Sequence, residues 1–298
     1  AGIASAIYAA RKGLNVTMVA DRIGGQVKDT VGIENLISVP KTTGTELTAN
    51  MQAHLADYNI TIKEHLRVEQ IEQAVSHGKK FKKLQLSSGE VIDSKTVIVA
   101  TGAKWRELGV PGEKEHIGAG VAYCPHCDGP FFKGKAVAVV GGGNSGIEAA
   151  LDLASMVDHV SVFEFLPQFK ADKVLVDKAK AHDKITLINN VAVQEIIAHE
   201  GRVTAIAYQE RDTGAIKQHA LSGVFVQIGL VPNSEFLSDV VERTPQGEII
   251  IDEKCHTTEP GIFAAGDVST VPYKQIVIAM GEGAKASLSA FDFLIRES

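Results

Sequence analysis

Short apolar runs alternate along this chain with longer stretches whose apolar positions recur at helical spacing. The small-residue stretch 2–12 predicts a helix and Val16-Thr17-Met18-Val19 a strand. Residues 45–57 read as an amphipathic helix, and Val97-Ile98-Val99-Ala100 as a buried strand. Residues 136–140 form another apolar run, followed by a helix from about 145 to 156 and a strand at Val160-Ser161-Val162-Phe163. A helix near 172–182, strands near 185–188, 203–208 and 224–228, and a closing helix over 275–295 complete the pattern. Continuous apolar strands alternating with helices predict parallel sheets covered on both faces, a three-layer α/β fold.

The pattern contains an internal echo. Gly2-Ile-Ala-Ser-Ala leads through Val16-Thr-Met-Val to Asp21, and Gly146-Ile-Glu-Ala-Ala leads through Val160-Ser-Val-Phe to Glu164. Each copy is a glycine-opened helix, a short strand and an acid at the strand end. Two such units predict two Rossmann-like dinucleotide-binding domains in one chain. The first copy starts at its third glycine with no strand before it, so the chain is expected to be a segment of a longer protein.

The second copy is complete. Gly141, Gly143 and Gly146 satisfy G-x-G-x-x-G between an apolar strand and a helix. These glycines permit the tight turn, the close approach of backbone to a pyrophosphate and the packing of helix on strand, while the helix N-terminus favours the phosphate charge. Strand, helix and terminal acid in register make an incidental glycine turn a poor alternative. A carboxylate at Glu164 can accept both ribose hydroxyls of NADH and repels the 2′-phosphate of NADPH. No arginine follows it in Glu164-Phe-Leu-Pro-Gln-Phe-Lys170, so NADH is the expected nucleotide. The competing reading makes Glu164 a solvated strand-end residue. In the first copy Gly2 and Asp21 take the corresponding places, and Asp267, after the small-residue run Gly261-Ile-Phe-Ala-Ala-Gly266, is placed to bind a ribityl hydroxyl.

Composition sharpens this picture by exclusion. The chain has 298 residues, of which 45% are hydrophobic and 22% charged, with a formal net charge of −6. It is long enough for two domains with sizeable cores. No basic block suggests nucleic acid, and no apolar run reaches the length of a membrane span. Three cysteines in so large a chain suit a reducing cytoplasm, where a close pair is redox-active or metal-binding more often than structural. That pair is Cys124-Pro125-His126-Cys127. Two thiols at this spacing can close a small disulfide ring, and a helix start or neighbouring cation lowers a thiol pKa. Asp128 follows at once and could carry the proton that exchange releases or consumes. Half of a zinc site is the rival reading, but His116 and Cys255 are isolated, and no metal site is expected. Cys255 reads as a buried, small apolar residue.

The order of a flavin half-site, Ala100-Thr101-Gly102, Cys-x-x-Cys-Asp-Gly, G-x-G-x-x-G and Ala-Ala-Gly-Asp267 resembles the low-molecular-weight thioredoxin reductase family over essentially the whole chain. Within it, Tyr123-Cys-Pro-His-Cys-Asp-Gly-Pro130 and Val271-Pro-Tyr-Lys-Gln275 are similar to the NADH-dependent flavoprotein subunits of bacterial alkyl hydroperoxide reductases. The resemblance implies a discontinuous FAD domain over 1–107 and 231–298, its N-terminal strand missing, with an NADH domain inserted at 108–230. It implies FAD near Gly2, Asp21, Gly24, Gly25, Gln26, Asn35, Thr101, Gly102, Gly266, Asp267, Lys274, Gln275 and Ile276. NADH would lie on Gly141, Gly143, Asn144, Ser145, Gly146 and Glu164. Cys127 would face the flavin, Cys124 would exchange with the next disulfide, and Asp128 would be the acid–base group.

Such proteins are homodimers whose NADH domain rotates to present nicotinamide and disulfide to the flavin in turn, and they deliver electrons to a peroxiredoxin subunit that reduces alkyl hydroperoxides. In that pattern a thioredoxin-like domain and the start of the first glycine loop precede the residue numbered 1 here, and both are expected in the longer protein. Two other functions remain open at this point. A plain thioredoxin reductase would want arginines where Glu164 stands, and a non-enzymatic nucleotide-binding redox sensor would keep the glycine loops without turnover.

Overall fold

The computed structural model describes residues 1–30, 32–76 and 79–297. The chain forms two compact units, Ala1–Lys104 with Val231–Ser298, and Trp105–Leu230. It passes between them through the short strands Ala103–Trp105 and Leu230–Pro232, which pair with each other.

The unit Trp105–Leu230 is built on a five-stranded parallel sheet. Its order is Ile185–Ile188, His159–Phe163, Ala136–Val140, Gly223–Val226 and Val121–Ala122. The central strands are apolar on both faces, as a sheet covered twice requires. Val137, Val139, Val160, Val162 and Phe225 pack against the helix Asn144–Ala154 through Ile147, Ala150 and Leu153. On the other face, Ala138, Val140 and Val224 meet Ile196, Val203 and Ile206 of an antiparallel sheet. The chain-order reversal falls at Ala136–Val140, which is flanked by the next strand on one side and by Gly223–Val226 on the other. A crevice opens beyond the carboxyl end of such a strand, and Gly141 begins there.

The other unit pairs Val16–Ala20 with Ile60–Glu64 and Val97–Val99 with Ile262–Ala264, both in parallel. The helix Gly2–Arg11 packs along the closing helix Ile276–Glu297, and the Ser5 hydroxyl donates to the Gly283 carbonyl at 2.9 Å. Cys255 is fully buried beside Phe263, Ala286 and Ala290. Its thiol lies 3.1 Å from Glu282 Oε2, and burial pushes its pKa up to about 12, as befits an inert packing residue.

Two features differ from the sequence expectation. The predicted strand 203–208 is Arg202–Glu210, and it belongs to an antiparallel sheet with Val191–His199 and Ile216–Ala220 rather than to a parallel one. A second antiparallel sheet, Val68–Ser76, Lys79–Leu86 and Val91–Ser94, was not anticipated. Its strands alternate apolar Ile71, Leu84 and Leu86 with lysines and glutamates, so each run lacks the continuous hydrophobicity that marks a doubly covered strand.

Candidate functional site

The redox turn is assembled locally. Cys124 caps a single helical turn, Pro125–Asp128, with proline at its first position, where a missing N–H costs nothing. The Cys127 and Asp128 amides donate to the Cys124 carbonyl at 3.1 and 2.9 Å, which brings the two cysteines to a Cα separation of 5.2 Å with the disulfide formed. One turn carries little macrodipole, so helix polarity contributes less to these thiols than a longer helix would. Gly129 seats the turn on the glycine-motif helix: a side chain there would meet Leu153 Cδ2 at 3.0 Å and Met156 Cε at 3.1 Å. His126 Nδ1 reaches Asp152 Oδ2 of the same helix at 3.0 Å. Burial raises the Asp128 pKa to about 6, so near neutrality both its proton-donating and proton-accepting forms are populated.

The segment leading into this turn is held by Glu113, which sequence reasoning did not single out. Glu113 is fully buried and accepts from the Leu108 amide at 2.8 Å, the Gly109 amide at 2.7 Å and the Tyr123 hydroxyl at 2.9 Å. Burial and this carboxylate push the Tyr123 phenol above its ordinary pKa. Trp105 stacks on Tyr123, and Gln227 donates to the Tyr123 carbonyl at 2.7 Å. The only local signal was Pro111-Gly-Glu113, a turn sequence that gives no hint of a buried carboxylate.

The glycines of the second motif have distinct roles. A Cβ on Gly146 would lie 1.9 Å from the Gly141 carbonyl oxygen, so helix and loop touch backbone to backbone. Gly141 has φ +124°, and a Cβ there would strike the Gln227 carbonyl oxygen at 2.3 Å. A Cβ on Gly143, by contrast, would meet nothing within 4 Å. The open space at Gly143 is where a phosphate group could approach the helix that begins at Asn144. Asn144 itself exchanges hydrogen bonds with Asp172, donating to its carboxylate at 3.1 Å and accepting from its amide at 2.8 Å.

Glu164 stands at the end of His159–Phe163, but it is not solvated. It is 8% exposed, its Oε2 accepts from the Gly142 amide at 2.5 Å and its Oε1 from the Leu166 amide at 2.7 Å. The carboxylate therefore shapes the loop, and a side chain on Gly142 would collide with it at 2.5 Å.

The residues expected at the other nucleotide fall in the unit Ala1–Lys104 with Val231–Ser298. Gly24 takes φ +94° over Thr48, whose buried hydroxyl has no hydrogen-bond partner among the described residues, and Gly25 and Gln26 open a short 3-10 turn. Asn35 Nδ2 donates to Gln275 Oε1 at 3.1 Å, joining loops distant in sequence. The Thr101 hydroxyl donates to the Asn233 carbonyl at 2.7 Å, and Asn233 returns a bond to the Thr101 carbonyl at 2.9 Å, leaving Gly102 open on the side where a Cβ would stand. Asp267 follows the strand Ile262–Ala264 and the turn residue Gly266, and burial raises its pKa. The closing helix, expected from about 275, starts at Ile276, nine residues beyond Asp267. Lys274 donates to the Ser269 and Val271 carbonyls at 2.5 and 3.0 Å and pairs with Glu248 at 2.8 Å. Asp21 is engaged by Arg67 at 2.5 Å, which lowers its pKa, and sequence reading did not anticipate that partner.

Among the described residues no group of three or more His, Cys, Asp or Glu side chains is placed to hold a metal ion, and no helix is long and apolar enough to cross a membrane.

A parallel sheet with a glycine cradle at its switch point, beside a Cys-x-x-Cys disulfide docked on the same helix, defines a nucleotide-dependent disulfide reductase architecture. The chain belongs to the pyridine nucleotide-disulphide oxidoreductase family, whose model matches residues 1–283. It is 51% identical over 296 residues to an alkyl hydroperoxide reductase subunit of Escherichia coli (strain K12), covering 99% of this chain and 57% of that protein. It is also 51% identical to a Bacillus subtilis (strain 168) protein named NADH dehydrogenase, with coverages of 99% and 57%. Among solved structures, thioredoxin reductase from Streptococcus pyogenes MGAS5005 matches with a TM-score of 0.92 at 36% identity, over 99% of this chain and 95% of that one. The chain thus spans a little over half the length of the curated relatives it matches.

Proposed function

We propose that this chain is the NADH:disulfide oxidoreductase portion of an alkyl hydroperoxide reductase flavoprotein. Electrons enter from NADH, and the Cys124–Cys127 disulfide passes them to a thioredoxin-like domain and then to a peroxiredoxin partner. The observation that carries this reading is the seating of the disulfide turn on the helix of the glycine cradle, through Gly129 and His126–Asp152. The names of the relatives, several of them hydroperoxide reductase subunits and two of them NADH dehydrogenases, agree with it. A homodimer in the cytoplasm is part of the same proposal.

In this reading Ala1–Lys104 with Val231–Ser298 holds FAD. The backbone at Gly24, Gly25 and Gly102, the linked Asn35–Gln275 pair and Ile276 would line it, Gly2 and Asp21 would face its adenosine end, and Gly266, Asp267 and Lys274 its ribityl chain. The residues fit such a group, since Asp267 offers a half-buried carboxyl, Thr48 a buried hydroxyl without a partner among the described residues, and Gly25 and Gly102 backbone that a ligand can approach closely. FAD, when bound, supplies the two-electron relay between nicotinamide and disulfide. The inserted unit Trp105–Leu230 holds NADH at Gly141, Gly143, Asn144, Ser145, Gly146 and Glu164.

Reduction of the disulfide consumes two electrons and two protons and yields two thiols. Asp128, titrating near 6, delivers a proton to the emerging thiolate pair and recovers one in the reverse direction. Cys124 as thiolate then attacks an incoming disulfide and releases one thiol, and Cys127 resolves the mixed disulfide and releases the second. NADH oxidation coupled to a small aromatic disulfide tests the proposal. The protein reconstituted with FAD should turn over many equivalents, and Cys124→Ser or Cys127→Ser should lower the rate at least about a hundredfold. Undiminished turnover in both variants would contradict it.

A further inference from the structure

Beside Glu164, the strand end carries a cation that comes from elsewhere in the chain. Arg211 follows the strand Arg202–Glu210 and lies at the turn leading to Ile216–Ala220. Its guanidinium sits 4.0 Å over the ring of Phe165, which is 55% exposed. Nη1 donates to the Phe165 carbonyl at 2.9 Å and to Asn190 Oδ1 at 3.3 Å. The Arg211 position is fixed by backbone as well. Its amide donates to the Asn190 carbonyl at 3.0 Å, the Asn190 amide to the Leu166 carbonyl at 2.9 Å, and the Val191 amide to the Glu164 carbonyl at 3.0 Å. A guanidinium is therefore anchored one peptide away from the acid that would meet the ribose.

The charges at this spot are arranged unequally. Glu164 is buried and each carboxylate oxygen is occupied by a backbone N–H, which spreads its negative charge into the loop. Arg211 is exposed, and among the described residues both of its side-chain hydrogen bonds come from Nη1, which leaves the Nη2 donors to bind a phosphate oxygen. A guanidinium fork is the side chain best matched to a phosphate monoester. The aromatic ring beneath it holds the plane in place at little further entropic cost.

We propose that Arg211 is a 2′-phosphate site at the ribose end of the cradle, so that the chain carries a latent NADPH subsite which the charge of Glu164 masks. This rests on the reading of the cradle as the NADH site. The preference for NADH then follows from competition between a partly neutralised carboxylate and a nearby guanidinium. Removing the carboxylate charge alone opens the site to the phosphorylated ribose.

Calorimetric titration of the FAD-loaded protein with 5′-AMP and with 2′,5′-ADP tests this without turnover. The unmodified protein should bind 5′-AMP more tightly. Arg211→Ala should weaken 2′,5′-ADP about tenfold and 5′-AMP by less than about threefold, as loss of one charge-assisted phosphate contact predicts. Glu164→Gln, which keeps the side chain's size and one of its two backbone acceptors, should strengthen 2′,5′-ADP about tenfold, and Arg211→Ala in that background should abolish the gain. Equal weakening of both probes by Arg211→Ala would make Arg211 a packing residue and overturn the proposal, as would a Glu164→Gln gain that survives loss of Arg211. Failure of both nucleotides to bind any variant would instead overturn the assignment of the cradle itself. Arg211 is at the surface, so its variant folds and gives a result even where Glu164→Gln does not.

Discussion

Asp128 links burial to chemistry at the scale of one residue. Its carboxyl has an ordinary value of 3.8 and titrates at about 6 here because burial opposes ionisation. Below about pH 3, folded and unfolded chains both hold the proton and burial of the group costs little. Between there and about pH 6 the unfolded chain releases a proton that the folded chain keeps. Above that range the folded state is ionised at a cost on the order of 3 kcal/mol. Asp128→Asn should therefore raise stability by up to about 3 kcal/mol near pH 8 and change it little near pH 3, measured by thermal unfolding at both values. An equal shift at the two values would contradict the burial argument. The sequence placed this aspartate beside the cysteines, but its burial depends on the docking of the whole turn.

The glycine loop and the helix it opens make separable predictions at the scale of the element. Gly143→Ala adds a methyl group to open space, so stability should change by less than about 1 kcal/mol, while affinity for ADP-ribose should fall at least about tenfold because the methyl occupies the phosphate approach. Gly146→Ala forces helix from loop and should cost about 2–4 kcal/mol of stability as well as binding. Thermal melts beside calorimetry separate the two, and parallel losses in both variants would mean that Gly143 is structural. Glu113→Ala strands two amides and the Tyr123 hydroxyl, and should cost about 3 kcal/mol in denaturant unfolding. A cost below about 1 kcal/mol would show that water replaces the carboxylate. The parallel strands were legible because each is a continuous apolar run. The antiparallel strands Val68–Ser76 and Lys79–Leu86 were not, since half of their side chains face water and charged residues interrupt the pattern. Glu113 and Arg211 were illegible for a different reason: their partners lie across turns or strands that only the fold brings near.

At the scale of the whole molecule, the two glycine-opened repeats read from the sequence lie one in each compact unit, and the disulfide shares a unit with the complete repeat. What the sequence could not reveal is that Glu164 is buried within its own loop and that Asp21 is paired with Arg67, because both depend on non-local backbone and side-chain partners. The central claim is that nicotinamide, flavin and the Cys124–Cys127 disulfide form one electron path. Its most direct test is an anaerobic NADH titration of the FAD-loaded protein followed by visible absorbance. A flavin in redox contact with a disulfide takes up about four electrons, and a flavin alone about two. The account predicts uptake near four, falling to near two in Cys127→Ser. Uptake near two in the unmodified protein would contradict it, leaving the disulfide outside the path.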